Sequence, residues 1–198
     1  MLYSTQAFKL PRVSSTYHTV IKNIIITLLG SIAIALSAQF TIPLEPVAIT
    51  LQNASVIILA MIFGPRLGVA MVAAYLIEGA VGLPVFSNGG HGLAKLFSPV
   101  AGYLISFLLS AYVVGRLQER GLCKNISGSL LTALAGITIN FALGVPVLAI
   151  FIGWHKAIAA GFYPFIMGEL YKLAFIASFI PNATKQISRY RENNNFGK

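Results

Sequence analysis

The sequence predicts an all-α integral membrane protein with six transmembrane helices. Of its 198 residues, 57% are hydrophobic and only 10% are charged, and the mean hydropathy is +0.80. Soluble domains carry about 25% charged residues. The apolar residues fall into segments that approach the length needed to cross a bilayer. These segments are residues 20–40, 48–63, 67–82, 99–117, 127–154 and 162–180.

The basic residues orient these spans. With both termini in the cytoplasm, eleven of the fourteen Lys and Arg residues lie at the cytoplasmic side or in the tails, and Lys172 lies within a span. The outer loops hold only Lys95 and Lys156. Because basic residues concentrate on the cytoplasmic side of membrane proteins, the net charge of +9 indicates orientation and not nucleic-acid binding. We expect a multi-pass protein of the cytoplasmic membrane.

Three regions follow from this topology. Residues 1–19 are basic and lack an apolar h-region, which predicts a retained cytoplasmic arm instead of a cleaved signal peptide. Residues 20–181 form one membrane domain, and residues 182–198 form a basic cytoplasmic tail. Cys123 is the only cysteine, so no intramolecular disulfide is possible, and we expect a buried or inert thiol.

The first span carries small residues four positions apart, Ser31 and Ala35. Small residues let two membrane helices approach closely. The spacing fits a face that docks a partner protein and fits packing within the chain equally well.

The second and third spans are predicted to form a tight helical hairpin. Gly64 and Pro65 lie between them, and Gly commonly ends a helix while Pro commonly opens one. Gln52 lies at the outer start of the second span. Glu78 lies near the outer end of the third, where a solvated or snorkelling carboxylate is expected.

Two outer loops have distinctive compositions. In residues 41–47, two prolines favour an extended connection. In residues 83–92, apolar anchors flank a centre with three glycines in four positions. This glycine-rich loop fits either a lid whose amide groups bind an anion or a mobile connection.

The fifth span contains Pro146, which removes one helical hydrogen bond and predicts a kink. The sixth span contains Glu169 and Lys172, two opposite charges inside an apolar segment. Each charge costs roughly 2.5 to 3.5 kcal/mol at the centre of a membrane helix, so ionisable residues there are candidates for function. Side chains three positions apart share a helix face. The pair fits a structural ion pair, a proton relay or a ligand site.

Several kinds of chemistry have no support in the sequence. No Gly-x-x-x-x-Gly-Lys-Ser/Thr segment occurs, so ATP-driven work needs a partner protein. The three histidines are scattered and Asp is absent, so no metal site or other cofactor is predicted. A Gly-x-Ser-x-Gly nucleophile motif is also missing, which leaves a hydrolase weakly supported.

Several short motifs follow one another between residues 26 and 181: Ile-Pro-Leu at 42–44, Val-Ala-Ile-Thr-Leu-Gln at 47–52, Gly-Pro-Arg at 64–66, Gly-Leu-Pro-Val-Phe at 82–86, Pro-Val-Ala-Gly-Tyr at 99–103 and Gly-Glu-Leu-Tyr-Lys at 168–172. In this order they resemble the BioY family, the biotin-specific substrate-capture components of energy-coupling-factor (ECF) transporters. Two positions depart from the family pattern. Glu169 stands where Asp is usual, and Ser31 stands where Ala is usual.

The resemblance implies the six-helix S-component fold, with a biotin pocket near the outer face that the two outer loops close. It also implies that Ser31 and Ala35 dock a membrane scaffold subunit, which two cytoplasmic ATPases drive. The residues expected to contact biotin are Glu169, Lys172, Asn88, Gly89, Gly90, Phe86, Tyr103 and Gln52.

Biotin suits these side chains. Its ureido ring has two N–H donors and a carbonyl acceptor, its sulfur ring is apolar and its valerate ends in a carboxylate. Glu169 can accept from the ureido N–H groups, and Lys172 can donate to a ligand oxygen. The sequence leaves open which end of biotin lies deepest.

We therefore expect capture and uptake of biotin without chemical conversion. The alternatives are a proton-coupled solute carrier with Glu169 and Lys172 as relay, and an intramembrane enzyme with Glu169 as general base.

Overall fold

The structure is a computed structural model that describes residues 14–195, and the side chains of residues 17–183. Most of the predicted arm and part of the predicted tail, including Lys9, Arg12 and Lys198, lie outside the described residues. Six helices and two short strands follow in the order α1 Ser14–Gln39, β1 Thr41–Ile42, β2 Ile49–Thr50, α2 Gln52–Ala80, α3 Ala101–Glu119, α4 Ile126–Ile152, α5 Trp154–Gly161 and α6 Tyr163–Asn195. Three 3-10 helices, Ser87–Gly89, Leu93–Phe97 and Leu122–Lys124, lie in the connections.

The predicted helical hairpin is confirmed inside α2. At Gly64 the φ angle is +80° and the helical dihedrals are interrupted. A Cβ placed on Gly68 would lie only 3.1 Å from the Cα of Ala60, which a continuous helix would hold more than a turn away. The two arms therefore run antiparallel, and their far ends meet where the Gln52 amide donates to the Tyr75 hydroxyl at 2.9 Å.

The first outer loop is a small β-hairpin. β1 and β2 pair antiparallel, with Thr41 opposite Thr50 and Ile42 opposite Ile49. The Glu45–Pro46 peptide within it is cis. This hairpin brings the carbonyl of Thr50 to the start of α2.

The glycine-rich loop is anchored in the core. Phe86 is 1% exposed, and its ring meets Tyr75 edge-on at 5.4 Å between centroids. Gly79 leaves room for this ring, since a Cβ there would overlap it. The Gly92 amide donates to the Gly79 carbonyl at 2.7 Å. The loop therefore packs onto α2, which a freely mobile connection would not do.

The centre of the molecule is the packing of α2 against α3 and of α3 against α4. α1 lies at the edge against α2, where Gly30 faces Met71. The two arms of α2 correspond to the second and third predicted spans, and α3 to the fourth. α4 continues through Pro146 and ends at Gly153, whose φ is +82°. The short helix α5 was not predicted, and α6 continues past the predicted end at residue 180.

Four stretches of the described residues are long and apolar enough to cross a membrane: Tyr17–Gln39, Gln52–Ala80, Ile126–Ile152 and Trp154–Ala183. A mostly helical protein with long apolar helices is therefore confirmed. The Gln52–Ala80 stretch contains both antiparallel arms, and α3 is not among the four, so the count of six spans stays a prediction.

Candidate functional site

A cavity of about 60 Å³ lies at the end of the bundle that carries the β-hairpin and the glycine-rich loop. Its walls come from the start of α2, the first turns of α3, the middle of α4 and the first half of α6. The lining residues are Val47, Ala48, Thr50, Gln52, Asn53, Phe86, Ser87, Lys95, Val100, Tyr103, Leu104, Phe107, Asn140, Phe141, Phe165, Glu169 and Lys172. The site thus joins five aromatic rings to a small group of buried polar side chains.

Glu169 and Lys172 form an ion pair at this cavity. Lys172 Nζ donates to Glu169 Oε1 at 2.8 Å and to the Thr50 carbonyl at 2.7 Å. The side chains are 9% exposed for Lys172 and 7% exposed for Glu169. An ammonium group has three N–H donors, so one remains for another acceptor. The single helical turn between the residues explains the contact, as their spacing predicts.

The second carboxylate oxygen of Glu169 has a different environment. Oε2 is fully buried and has no hydrogen-bond partner among the described residues. Buried polar atoms of native proteins are nearly always paired, and leaving an acceptor unpaired costs about 1–3 kcal/mol, more for a charged group. Since Glu169 lines the cavity, this oxygen is available to a ligand with an N–H group.

Three side-chain amides also line the cavity. Gln52 donates to Tyr75, and Asn140 Oδ1 accepts from Ser106 Oγ at 2.6 Å. Asn53, 4% exposed, has neither its Nδ2 nor its Oδ1 paired, although both atoms are buried. The cavity therefore contains one amide with both a free donor and a free acceptor.

Of the eight residues predicted to contact a ligand, Gln52, Phe86, Tyr103, Glu169 and Lys172 line the cavity. The Tyr103 hydroxyl already donates to the Gly161 carbonyl at 2.9 Å, and its ring lies against Gly144. Tyr103 therefore offers the cavity an apolar wall. Its polar tip is held by α5.

Asn88, Gly89 and Gly90 do not line the cavity. Gln39, at the end of α1, holds this part of the loop. Its Nε2 donates to the Phe86 carbonyl at 3.1 Å, and its Oε1 accepts from the Gly89 amide at 3.2 Å. Ser87 and Lys95 line the cavity from the same loop region instead.

Ser31 does not lie on an exposed face. It is fully buried and donates to Glu78 Oε1 at 2.7 Å, across 47 residues of sequence. Ser31 therefore packs within the chain, and its contact with a partner protein stays a prediction. Ala35 is half-buried. Glu78, expected to be a solvated or snorkelling carboxylate, is a half-buried acceptor that ties α1 to α2.

Beside the cavity, a broad apolar groove of about 690 Å³ lies between α4 and α6. Phe141 and Glu169 border both the groove and the cavity. Phe141 packs edge-on against Phe162 at 5.0 Å and Phe165 at 6.1 Å between centroids. This aromatic cluster separates the polar cavity from the side of the bundle.

Three cavity residues were not among those expected from the sequence to contact a ligand: Asn53, Asn140 and Lys95. Asn53 directly follows Gln52, which was expected to contact the ligand. Its place beside that residue is the signal that could have identified it. Lys95 is the only Lys or Arg in the sequence between α2 and α3, although its sequence position alone gave it no role. Asn140 lies in the most apolar span and could have been singled out as a polar residue at membrane depth.

Known proteins resemble this chain over most of its length. The BioY family model matches residues 7–189. The biotin transporter BioY of Thermotoga maritima is 41% identical over 145 residues, which cover 73% of this chain and 85% of the relative. The probable biotin transporter BioY of Rickettsia prowazekii is 32% identical over 172 residues, which cover 85% of this chain and 88% of the relative.

One solved structure is also similar. The crystal structure of the S-component for biotin from an ECF-type ABC transporter superimposes with a TM-score of 0.76 at 24% identity, covering 85% of this chain and 93% of that chain. Likeness at this identity concerns the fold, and it confirms the expected S-component fold.

Proposed function

Because the chain belongs to the BioY family, we propose that it captures biotin in the cavity between α2, α3, α4 and α6 and serves as the substrate-binding component of biotin uptake. The observation that carries this assignment is the buried pair of Glu169 and Lys172, with one carboxylate oxygen unpaired at the cavity. The protein binds and releases biotin and does not convert it chemically.

The polar end of the cavity suits the ureido ring. Glu169 Oε2 accepts one ureido N–H, and the remaining N–H of Lys172 donates to the ureido oxygen. A hydrogen bond to a carboxylate is stronger than one to a neutral acceptor. This assignment places the ureido end beside α6 and the first turn of α2.

The other polar end of biotin is a carboxylate. Lys95 lies in the 3-10 helix Leu93–Phe97, lines the cavity and is half-buried. A cation there pairs with the valerate carboxylate near the loop end. The rings of Phe86, Phe107 and Phe165 and the other apolar walls cover the sulfur ring and the chain between the two ends.

The size of the cavity implies a conformational step. Pockets for ligands of this size usually enclose 300–1,000 Å³, whereas this cavity encloses about 60 Å³. The β-hairpin and the glycine-rich loop therefore move outward when biotin enters and close over it afterwards. The Gln39 contacts hold the glycine-rich loop closed.

The protein lies in the cytoplasmic membrane and crosses it six times, with both termini inside. The arms of α2 count as separate spans in this topology, and the cavity faces outward. The described end opposite the cavity carries Arg66, Arg116, Arg120 and Lys124, in keeping with the cytoplasmic excess of basic residues.

The partners are a membrane scaffold subunit and cytoplasmic ATPases of an ECF module. The chain has no P-loop of its own, and its fold is that of an S-component. Of the four stretches long enough to cross a membrane, the one in α1 is the least buried, at 17%. Its exposed face beside Ala35 is therefore the surface available to the scaffold. Ser31 supports that face from behind through Glu78.

Two measurements test the proposal. Purified protein binds biotin with 1:1 stoichiometry in titration calorimetry, and Lys172→Ala weakens binding strongly. Cells that express the chain with the scaffold and ATPase subunits accumulate labelled biotin, and removal of the ATPases abolishes accumulation. Failure of the wild type to bind biotin refutes the ligand, whereas uptake that survives loss of the ATPases but collapses with an uncoupler refutes the partners.

A further inference from the structure

Asn53 is the second residue of α2, and its side chain lines the cavity. It is 4% exposed, and both Nδ2 and Oδ1 are buried without a hydrogen-bond partner in the part of the chain that the structure describes. The other two cavity amides are engaged, Gln52 with Tyr75 and Asn140 with Ser106. Asn53 thus differs from its neighbours in having both functions of the amide available.

An amide in this state carries a free-energy cost. Native proteins pair more than nine-tenths of buried polar groups, so each exception needs a physical reason. Packing alone does not explain the amide, because an apolar side chain of the same shape would fill the position without leaving polar atoms unpaired. A ligand that supplies one acceptor and one donor accounts for both atoms.

A cyclic urea has the matching edge. Its ring forces each N–H to lie on the same side as the carbonyl oxygen, so one edge presents an acceptor beside a donor. The amide of Asn presents a donor beside an acceptor with the same spacing. The two groups can therefore form a pair of parallel hydrogen bonds.

We propose that Asn53 recognises the ureido group of the ligand, with Nδ2 donating to the carbonyl oxygen and Oδ1 accepting from the adjacent N–H. This inference rests on the proposed function, in which biotin is the ligand. Glu169 Oε2 then accepts the second ureido N–H, and Lys172 donates to the second lone pair of the carbonyl oxygen. Every polar atom of the ureido group and both unpaired side chains become satisfied.

This arrangement makes Asn53 a specificity-determining residue. The analogue 2-iminobiotin carries a guanidinium group at about pH 6, which presents N–H donors where biotin presents its carbonyl oxygen. Nδ2 of Asn53 would face one of these donors, so the wild type rejects protonated 2-iminobiotin. Asn53→Asp replaces the Nδ2 donor by an acceptor and removes that conflict.

The test measures the affinities of biotin and 2-iminobiotin for the full chain at about pH 6. Asn53→Leu lowers biotin affinity by roughly 30-fold, the effect of losing two hydrogen bonds. Asn53→Asp lowers the preference for biotin over 2-iminobiotin at least about tenfold. Asn23, an exposed residue of α1, provides the matched controls, because Asn23→Leu and Asn23→Asp leave both affinities unchanged.

Stability separates ligand recognition from a structural role. Since Asn53→Leu removes two unpaired polar atoms, the ligand-free variant unfolds at the wild-type temperature or above it. Biotin affinity within twofold of wild type in Asn53→Leu, or an unchanged preference in Asn53→Asp, overturns the inference while the proposed function stands. A wild type that does not bind biotin overturns both.

Discussion

Lys172 Nζ lies 2.8 Å from Glu169 Oε1, and both side chains are buried at the wall of the cavity. The sequence left a structural ion pair and a ligand site as separate alternatives for these two residues. One oxygen of Glu169 belongs to an ion pair within the chain, while the other is unpaired. The proposed ligand site therefore shares its atoms with a structural ion pair, and variants can separate the two roles.

Changing one member of this pair should destabilise the protein, and changing both should not. Glu169→Gln or Lys172→Met alone leaves one uncompensated buried charge, which costs about 3–5 kcal/mol. The double variant removes both charges, so we expect most of the stability to return. Biotin binding should be strongly weakened in each single variant, which lacks either the carboxylate or the ammonium, and lost in the double variant, which lacks both. Thermal unfolding and titration calorimetry measure the two effects.

The exposed pair Arg116 and Glu119 provides the control for this prediction. It has the same three-residue spacing and a 2.8 Å contact, but its side chains are 53% and 44% exposed. Glu119→Gln should change stability by less than about 1 kcal/mol and leave binding unchanged. Strong biotin binding by the Glu169→Gln/Lys172→Met variant would contradict the site assignment.

Local pattern predicted the features that depend on nearby residues. Glu169 and Lys172 meet because one helical turn separates them, and the chain reverses at Gly64 because glycine tolerates a positive φ there. Contacts that depend on distant segments were not predicted. Ser31 finds its partner 47 residues away, and no spacing rule within a single helix could show that this side of α1 faces Glu78.

The glycine-rich loop shows the same limit. The family resemblance implied that Asn88, Gly89 and Gly90 contact the ligand. In the structure Gln39 bonds to both sides of this turn and Phe86 is buried against Tyr75, so the turn lies away from the cavity. The direction of a short loop is set by these tertiary contacts and is not encoded in its own residues.

Gln39 should control the rate of ligand exchange. Gln39→Ala removes the hydrogen bonds to the Phe86 carbonyl and the Gly89 amide. Each contributes about 0.5–1.5 kcal/mol, so the loop should open more often and biotin should dissociate about 5- to 150-fold faster. Stopped-flow displacement of labelled biotin measures this rate.

Gln118, at the opposite end of the bundle, is the control for the loop prediction. Gln118→Ala removes the same side chain but should leave the dissociation rate unchanged. An unchanged rate in Gln39→Ala would mean that the loop opens by a route that does not break these contacts.

Two helical glycines should respond oppositely to alanine. A Cβ on Gly144 would overlap the Tyr103 ring, whereas the nearest atom to a Cβ on Gly168 is Ile49 Cγ2 at 3.8 Å. Gly144→Ala should cost about 1–3 kcal/mol through overpacking and weaken biotin binding by moving Tyr103. Gly168→Ala should be neutral or stabilise by up to about 1 kcal/mol, because alanine favours helix. Equal effects on the unfolding temperature would refute this packing.

Cys123 should report unfolding and ligand binding together. It is the only cysteine and is 2% exposed. Burial is the main cause that raises the pKa of its thiol, so little reactive thiolate is present near neutral pH. A fluorogenic maleimide should therefore label the folded protein slowly and the heated protein fast. Biotin at about 100 times its dissociation constant adds about 2.7 kcal/mol to the free energy of unfolding and should raise the labelling midpoint.

Two variants complete this experiment. In the Leu93→Cys/Cys123→Ala variant, the thiol stands where the native leucine is 58% exposed. This thiol should react with the maleimide before heating. The Glu169→Gln/Lys172→Met variant keeps Cys123 but should show no shift with biotin, because the ligand stabilises only a fold that binds it. Rapid labelling of Cys123 in the cold wild type would contradict its burial, and an equal biotin shift in the double variant would place the ligand elsewhere.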